Sequence, residues 1–341
     1  MPGRHAVEAE ARRLEKAGLK LLCAAQDIRA AAALTLEINR LKKLRNAVLA
    51  VHVYQRPELL AGVADFTGDS YQLAKDCQSA KADTIVFCGV RFMAETAKIL
   101  NPEKRVLLPA PDAGCSLSDS ITVAQVRALK KKHPGAPVVT YINTTAEVKA
   151  ESDCIVTSAN AAKILRVLFK KHKKIIFLPD RLMAANLAAE LGVKLGKDLI
   201  PWNGACEVHE RFSPAVAAHY RKAYPGAKIL THPEARPEFV AQADYSGGTS
   251  AMLDYVRTHK APAYLLVTEC GLGELARMRF PGKNFVPLCR ICSHMKLTAL
   301  ENVLQALKKP QAGQTVEVDA KTAVKAAAAV RKMFEIAESG E

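Results

Sequence analysis

The stretch VLAVHVYQ at residues 48–55 has two counterparts further along the chain, VVTYINT at 138–144 and ILTHPEA at 229–235. Each begins the same series: a strand with a polar tip, a helix, a second short strand, and a turn rich in small residues. Those turns read TGDS at 67–70, VTSAN at 156–160 and YSGGTS at 245–250. Each series then continues with another apolar strand and an amphipathic helix, at 83–100, 173–191 and 262–280. A third short apolar run ends in proline and is followed by a cysteine: RVLLPAPDAGCSL, LIPWNGACEVH and NFVPLCRICSHM. An internal repeat constrains a fold more than any single segment does. Short apolar strands alternating with amphipathic helices predict βαβ units and parallel sheets. The expectation is an α/β protein of three pseudo-symmetric three-layer αβα domains at 46–117, 118–207 and 208–289, with C-terminal helices in 290–341 completing the first. In open parallel sheets ligands bind beyond the carboxyl ends of the strands. Three such domains would pool their polar strand tips in one central active-site cleft.

Residues 1–45 stand outside the repeat and read as a helical extension, EAEARRLEKAGLKLLCAAQ followed by AAALTLEINRLKKLR. A chain of 341 residues has room for several cores. It contains no window of eighteen apolar residues, and its charged start lacks the apolar stretch of a secretory signal, so a cytoplasmic protein with no membrane partner is expected. The formal net charge of +15 raises the question of nucleic acid. The basic runs KKKH at 130–133 and KKHKK at 170–174 fall where helices end, however, and cations there complement the helix dipole. No nucleic-acid partner is expected.

Nine cysteines in a chain without an export signal do not read as a disulfide scaffold. Cys115, Cys206 and Cys292 take equivalent places in the repeats, 91 and 86 residues apart. Three symmetry-related thiols suit a metal, although burial at strand ends would explain them equally well from spacing alone. Structural zinc usually takes four ligands, often from local Cys-x-x-Cys pairs. The pair Cys289 and Cys292 has no companion. On a four-iron cluster three thiolates would leave one iron open as a Lewis acid. Cys88 and Cys270 read as like positions at the tip of the second strand, where the middle repeat carries Asp180, so that layer cannot supply three thiolates. Cys88, Cys270 and Cys289 are expected to pack near the site, and Cys23, Cys77 and Cys154 to be buried helix or strand thiols.

His52, Tyr54, Tyr141, Asn143, His232 and Glu234 alternate at strand ends, two per repeat, so each pair points to one side. His209 lies three residues past Cys206. Ser70, Ser158 and Thr249 stand at turns before helices. A hydroxyl there can simply cap the helix, or it can bind a carboxylate or phosphate with the helix N-terminus.

With these words on the page, the chain resembles the quinolinate synthase family. VHVYQRPE, ADFTGDSYQLA, VFCGVRFMAETAKILNP, AGCSL, YINTTAEVKAESDCIVTSANA, IIFLPD, CEVHE, HPEARPE, GGTSAM and CSHMK carry the likeness across nearly all of residues 48–307. The resemblance implies a [4Fe-4S] cluster on Cys115, Cys206 and Cys292 with one open iron. It implies a transferase that condenses iminoaspartate with dihydroxyacetone phosphate, losing phosphate and two waters, to make quinolinate for NAD biosynthesis. A functional link to an iminoaspartate-producing enzyme follows from that substrate. By position, His52 and Ser70 match residues that hold substrate carboxylate, and Tyr54 one that moves a proton. Tyr141, Asn143 and Ser158 match contacts to the bound intermediate; His209, His232 and Glu234 line the pocket, with Glu234 as general base, and Thr249 binds carboxylate or phosphate. Val53 stands where the family commonly has asparagine, and Gly248 where it often has serine. Two other readings stay open: another iron-sulfur hydro-lyase on a repeated α/β scaffold, and a basic binding protein with a structural metal.

Overall fold

The computed structural model describes residues 2–339. It divides the chain into two compact units, one running to Ala113 and taking in Arg257–Glu317, the other Gly114–Val256 and the chain from Val318 onward. Three short parallel sheets are flanked by helices, the α/β architecture expected from the repeat.

The first unit opens with α1 (Arg4–Lys16) and α2 (Ala25–Leu44). In α2 the buried residues Ile28, Ala31, Ala32, Thr35, Ile38 and Leu41 recur every three or four positions, which gathers them on one stripe. That stripe shares a core with Leu14 of α1 and with Leu49 and Val51 of β1 (Ala47–His52). Helices α1 and α2 are therefore a covering layer of the first sheet rather than an appendage outside it. Removing apolar side chains of this size from water stabilises by roughly 2 kcal/mol each. The chain continues through α3 (Pro57–Gly62), β2 (Phe66–Gly68), α4 (Ser70–Ser79), β3 (Thr84–Cys88), α5 (Arg91–Leu100) and β4 (Arg105–Leu107). The strands lie in the order β2-β1-β3-β4, with His52 opposite Gly68 and Val51 opposite Cys88.

In the second unit α6 (Val123–Lys132) begins on a capping box between Thr122 and Gln125 and ends on three lysines that meet the negative end of its dipole. Then come β5 (Val138–Tyr141), α7 (Ala146–Ala150), β6 (Cys154–Val156), α8 (Ala161–Phe169), β7 (Ile175–Leu178), α9 (Arg181–Leu191) and β8 (Leu199–Pro201). The order β6-β5-β7-β8 repeats the first sheet strand for strand. After α10 (Pro214–Ala223), β9 (Lys228–Thr231) pairs in parallel with β10 (Tyr245–Ser246), and α11 (Pro237–Val240) and α12 (Thr249–Thr258) follow the two strands. Then β11 (Tyr264–Val267), α13 (Cys270–Arg279) and α14 (Leu300–Lys308) belong to the first unit, where Leu300, Val303 and Leu307 join the α2 core. Finally α15 (Ala320–Glu338) packs on α7, α8 and β6. This last helix departs from expectation: it covers the second sheet, because α7 and β6 leave an apolar face that its buried Ala326, Val330 and Met333 fill.

One hydrogen-bonded device recurs in all three repeats. An aspartate just before the second strand accepts from a backbone N–H of the first strand, while its own N–H donates back to the same residue's carbonyl. Asp65 does so with Leu49 (2.7 and 3.0 Å), Asp153 with Val138 (2.7 and 2.9 Å), and Asp244 with Ile229 (2.8 and 2.8 Å). Each pair fixes the parallel register, and with it the height at which His52, Tyr141 and His232 leave their strands. Among the described residues no helix is long and apolar enough to cross a membrane.

Candidate active site

The cysteine loops are built alike. In each repeat the first N–H of a helix donates to the carbonyl two residues before the cysteine: Arg91 to Ala113 (2.8 Å), Arg181 to Gly204 (2.8 Å) and Cys270 to Arg290 (3.3 Å). In each, the fourth residue beyond donates back to the cysteine carbonyl: Asp119 to Cys115 (3.0 Å), Glu210 to Cys206 (2.9 Å) and Lys296 to Cys292 (3.3 Å). A single 3-10 turn follows at Ser118–Ser120, His209–Arg211 and Met295–Leu297. Equivalence of Cys115, Cys206 and Cys292, read first from spacing, is thus a property of the backbone.

The other six cysteines behave differently. Cys77, Cys88 and Cys154 are buried in α4, β3 and β6, and burial pushes each thiol up to about 12. Cys23 is only part-buried and sits in the bend between α1 and α2, not in a helix or strand. Cys270 and Cys289 form a disulfide with Cα atoms 4.8 Å apart, so they are a covalent tie and not mere packing. Their pairing rests on tertiary proximity across 19 residues, which spacing does not reveal. The alignment of strand tips also changes. Counting from the helix starts, Asp180 corresponds to Glu269 and Val90, each one residue before α9, α13 and α5, whereas Cys88 ends β3 and Cys270 begins α13.

In the second unit the predicted residues converge on Glu234. His209 donates from Nδ1 to Glu234 Oε2 at 2.6 Å and lies 3.3 Å from Cys206 Sγ. His232 stacks on His209 with ring centroids 4.6 Å apart, and Tyr141 also bonds the Glu234 carboxylate. Burial works to raise the Glu234 pKa, but the imidazoles of His209 and His232 and the bonds from His209 and Tyr141 outweigh it, and the carboxyl is held low. Asp180, also buried, is pushed up by burial and by the charge of Glu234. The Cys206 thiol is enclosed although the residue keeps some exposed surface; burial, then Glu234, then nearby Cys115 push it well up. A thiolate in such a place calls for a compensating cation. Cys206, His209 and Glu234 offer ligand atoms within 4.8 Å of one another.

Ser158 and Thr249 form a second group in this unit. A Cβ on Gly248 would approach Ser158 Oγ to 2.8 Å, so the space of the family's serine is shared with the Ser158 hydroxyl. Among the described residues the buried Thr249 Oγ1 and Asn160 Nδ2 find no hydrogen-bond partner, a costly condition that a bound anion would relieve. Asn143 is half-buried just past β5.

In the first unit His52 and Tyr54 are neighbours. The Tyr54 N–H donates to His52 Nδ1 at 3.2 Å, and the rings meet edge to face at 4.8 Å. The Tyr54 hydroxyl is 2.5 Å from Thr268 Oγ1, and Lys296 Nζ donates to the Tyr54 carbonyl at 2.7 Å. Gly271 must be glycine here, since a Cβ would stand 2.6 Å from that carbonyl oxygen. Ser70 is the first residue of α4, and capping is done by Asp69, which accepts from Tyr71 and Gln72; a purely capping role for Ser70 is therefore taken by its neighbour. Val53 is buried in the turn between His52 and Tyr54. Thr268, Glu269 and the three strand-locking aspartates carry no signal in the repeat words, and Asp180 enters there only as a break in the thiol layer; aligning the repeats on helix starts pairs Asp180 with Glu269.

The sequence model of the family described as "Quinolinate synthetase A protein" matches residues 36–335. Quinolinate synthase 2 of Mesorhizobium japonicum is 48% identical over 277 residues, 81% of this chain and 84% of its own length. The quinolinate synthase of Caulobacter vibrioides is 44% identical over 310 residues, 90% and 83% of the two chains. That of Xylella fastidiosa is 46% identical over 299 residues, 88% and 86%.

Proposed function

The chain belongs to the quinolinate synthase family of enzymes of NAD biosynthesis, and on that premise we propose that it joins iminoaspartate to dihydroxyacetone phosphate and closes the ring to quinolinate in the cytoplasm, with loss of phosphate and two waters. The observation that carries the reading is the shared backbone frame of three cysteines outside the disulfide, Cys115, Cys206 and Cys292, while Cys270 and Cys289 are tied to each other. We assign these three to a [4Fe-4S] cluster. Bound there, it supplies an open iron as Lewis acid for the dehydration and cyclisation.

The chain's own groups divide the remaining work. His52 and His232 each accept at Nδ1 from the N–H two residues on, Tyr54 and Glu234. For His52, which burial keeps neutral, that sets the tautomer with hydrogen on Nε2, a donor suited to substrate carboxylate. Glu234 stays ionised and serves as general base, while His209 and Tyr141 hold its carboxylate in place. The Tyr54 hydroxyl, beside Thr268, moves a second proton. Ser70, Asn143, Ser158 and Thr249 bind carboxylate, phosphate and intermediate, and the unmet hydrogen bonds at Thr249 and Asn160 favour an anion there. An iminoaspartate-producing enzyme is the expected functional neighbour.

A second reading has one specific support: Cys206, His209 and Glu234 form a mixed donor set fit for a single divalent ion. Inorganic sulfide separates the two. Anaerobically purified protein should contain about four irons and four sulfides per chain and should form quinolinate from the two substrates. Metal without sulfide would favour the single ion; phosphate release without ring product would overturn the assigned reaction.

A further inference from the structure

Two buried carboxylates outside the assigned catalytic set touch the assigned cysteine loops in the same way. Asp180 is fully buried. Its Oδ1 accepts from the Met183 N–H at 2.7 Å and caps α9; its Oδ2 accepts from the Cys206 N–H at 3.1 Å. Glu269, 1% exposed, divides its oxygens likewise. Its Oε2 accepts from Gly271 N–H at 2.6 Å and caps α13, and its Oε1 accepts from the Cys292 N–H at 3.4 Å. Both residues stand one position before their helix, and both reach the residue that the repeat places two beyond the loop carbonyl already held by the helix's first N–H.

Helix capping alone explains one oxygen of each residue but not the other. Serine or threonine would cap as well, without the cost of enclosing a carboxylate. Glu269 goes further: its Oε1 also lies 3.4 Å from Lys296 Nζ, the group that holds the Tyr54 carbonyl. The first repeat lacks the device. Val90 occupies the place, and α5 begins with no side-chain cap.

We propose that Asp180 and Glu269 are positioning residues for the metal centre: one oxygen anchors a helix, the other fixes the backbone of Cys206 or Cys292 so that the thiolate is preset for its iron. The proposal rests on the cluster assignment made above. Groups that orient metal ligands without binding metal change affinity by about 10- to 100-fold when removed.

Serine at either position separates the two functions, because its hydroxyl caps the helix but is too short to reach the cysteine. Asp180→Ser and Glu269→Ser, purified anaerobically beside the parent chain, should keep its circular dichroism. They should lose iron to a ferrous chelator about 10- to 100-fold faster, and the low-temperature paramagnetic resonance signal of the reduced cluster should change shape. If Asp180→Ser does not fold, Asp180→Asn serves, since its carbonyl oxygen can keep the cap while its amide nitrogen cannot accept from Cys206. Folded variants with the parent's iron-loss rate and spectrum would overturn the positioning role and leave the cluster assignment standing. A parent chain that holds no iron and sulfide would overturn both.

Discussion

The turn His52-Val53-Tyr54 and the turn His232-Pro233-Glu234 are two copies of one structural device put to different chemical use. In both, a histidine at the end of a repeat's first strand accepts at Nδ1 from the N–H two residues later, at 3.2 and 3.4 Å. A backbone N–H thereby holds one nitrogen of each ring, beside the ring contacts with Tyr54 and His209. The third residue then decides the character of the turn. Tyr54 brings an uncharged hydroxyl onto Thr268, whereas Glu234 brings a carboxylate against His209 and beside His232. The lesson is that the repeat kept the frame that orients the ring, while the residue two positions on gave one copy a buried carboxylate and the other an uncharged hydroxyl.

Making the charged turn neutral is the strongest way to break that comparison. Glu234→Gln should retain iron and fold but lower kcat by about 10²- to 10⁴-fold, the range for loss of a general base; a rate within a few-fold of the parent would show that the two turns do not differ in function. Tyr54→Phe should lower kcat by about 10- to 100-fold, less than the first change because water can take over part of a neutral proton carrier's role. Steady-state rates at saturating substrate check this, and an effect confined to KM would assign Tyr54 to binding instead.

The smallest effect concerns His52. Burial lowers its pKa to about 4, with the Asp69 charge pulling the other way. A histidine depressed on folding binds fewer protons in the folded chain, so its contribution is fully present above the unfolded value of about 6.5 and is lost as pH falls toward 4. Relative to pH 8, the parent should lose about 2 kcal/mol through this group at pH 5. His52→Gln should flatten that part of the profile in denaturant titrations, and an unchanged slope would mean that the ring is not enclosed.

Much of this was legible beforehand because periodicity and repeated words are local. The three cysteines, the strand-end histidines and the α/β class all follow from patterns that any copy of the repeat must keep to bury its strands. Other features were not. Strand tips set Asp180 beside Cys270, but its true counterpart Glu269 differs in length, and only the helix starts reveal it. The N-terminal helices looked separable since they lie outside the repeat, yet Ile28 and Leu41 are part of the first core.

The sequence by itself determined the threefold module, its parallel strands and the chemical kinds of residue at its tips, because strand alternation and helix amphipathicity are written in neighbouring positions. Tertiary structure alone decided which sheet α15 covers, that Cys270 bonds Cys289, and that His209, His232 and Tyr141 gather on Glu234. Those outcomes depend on distances between segments far apart in the chain, and no local pattern encodes a distance that only the packing of whole layers sets.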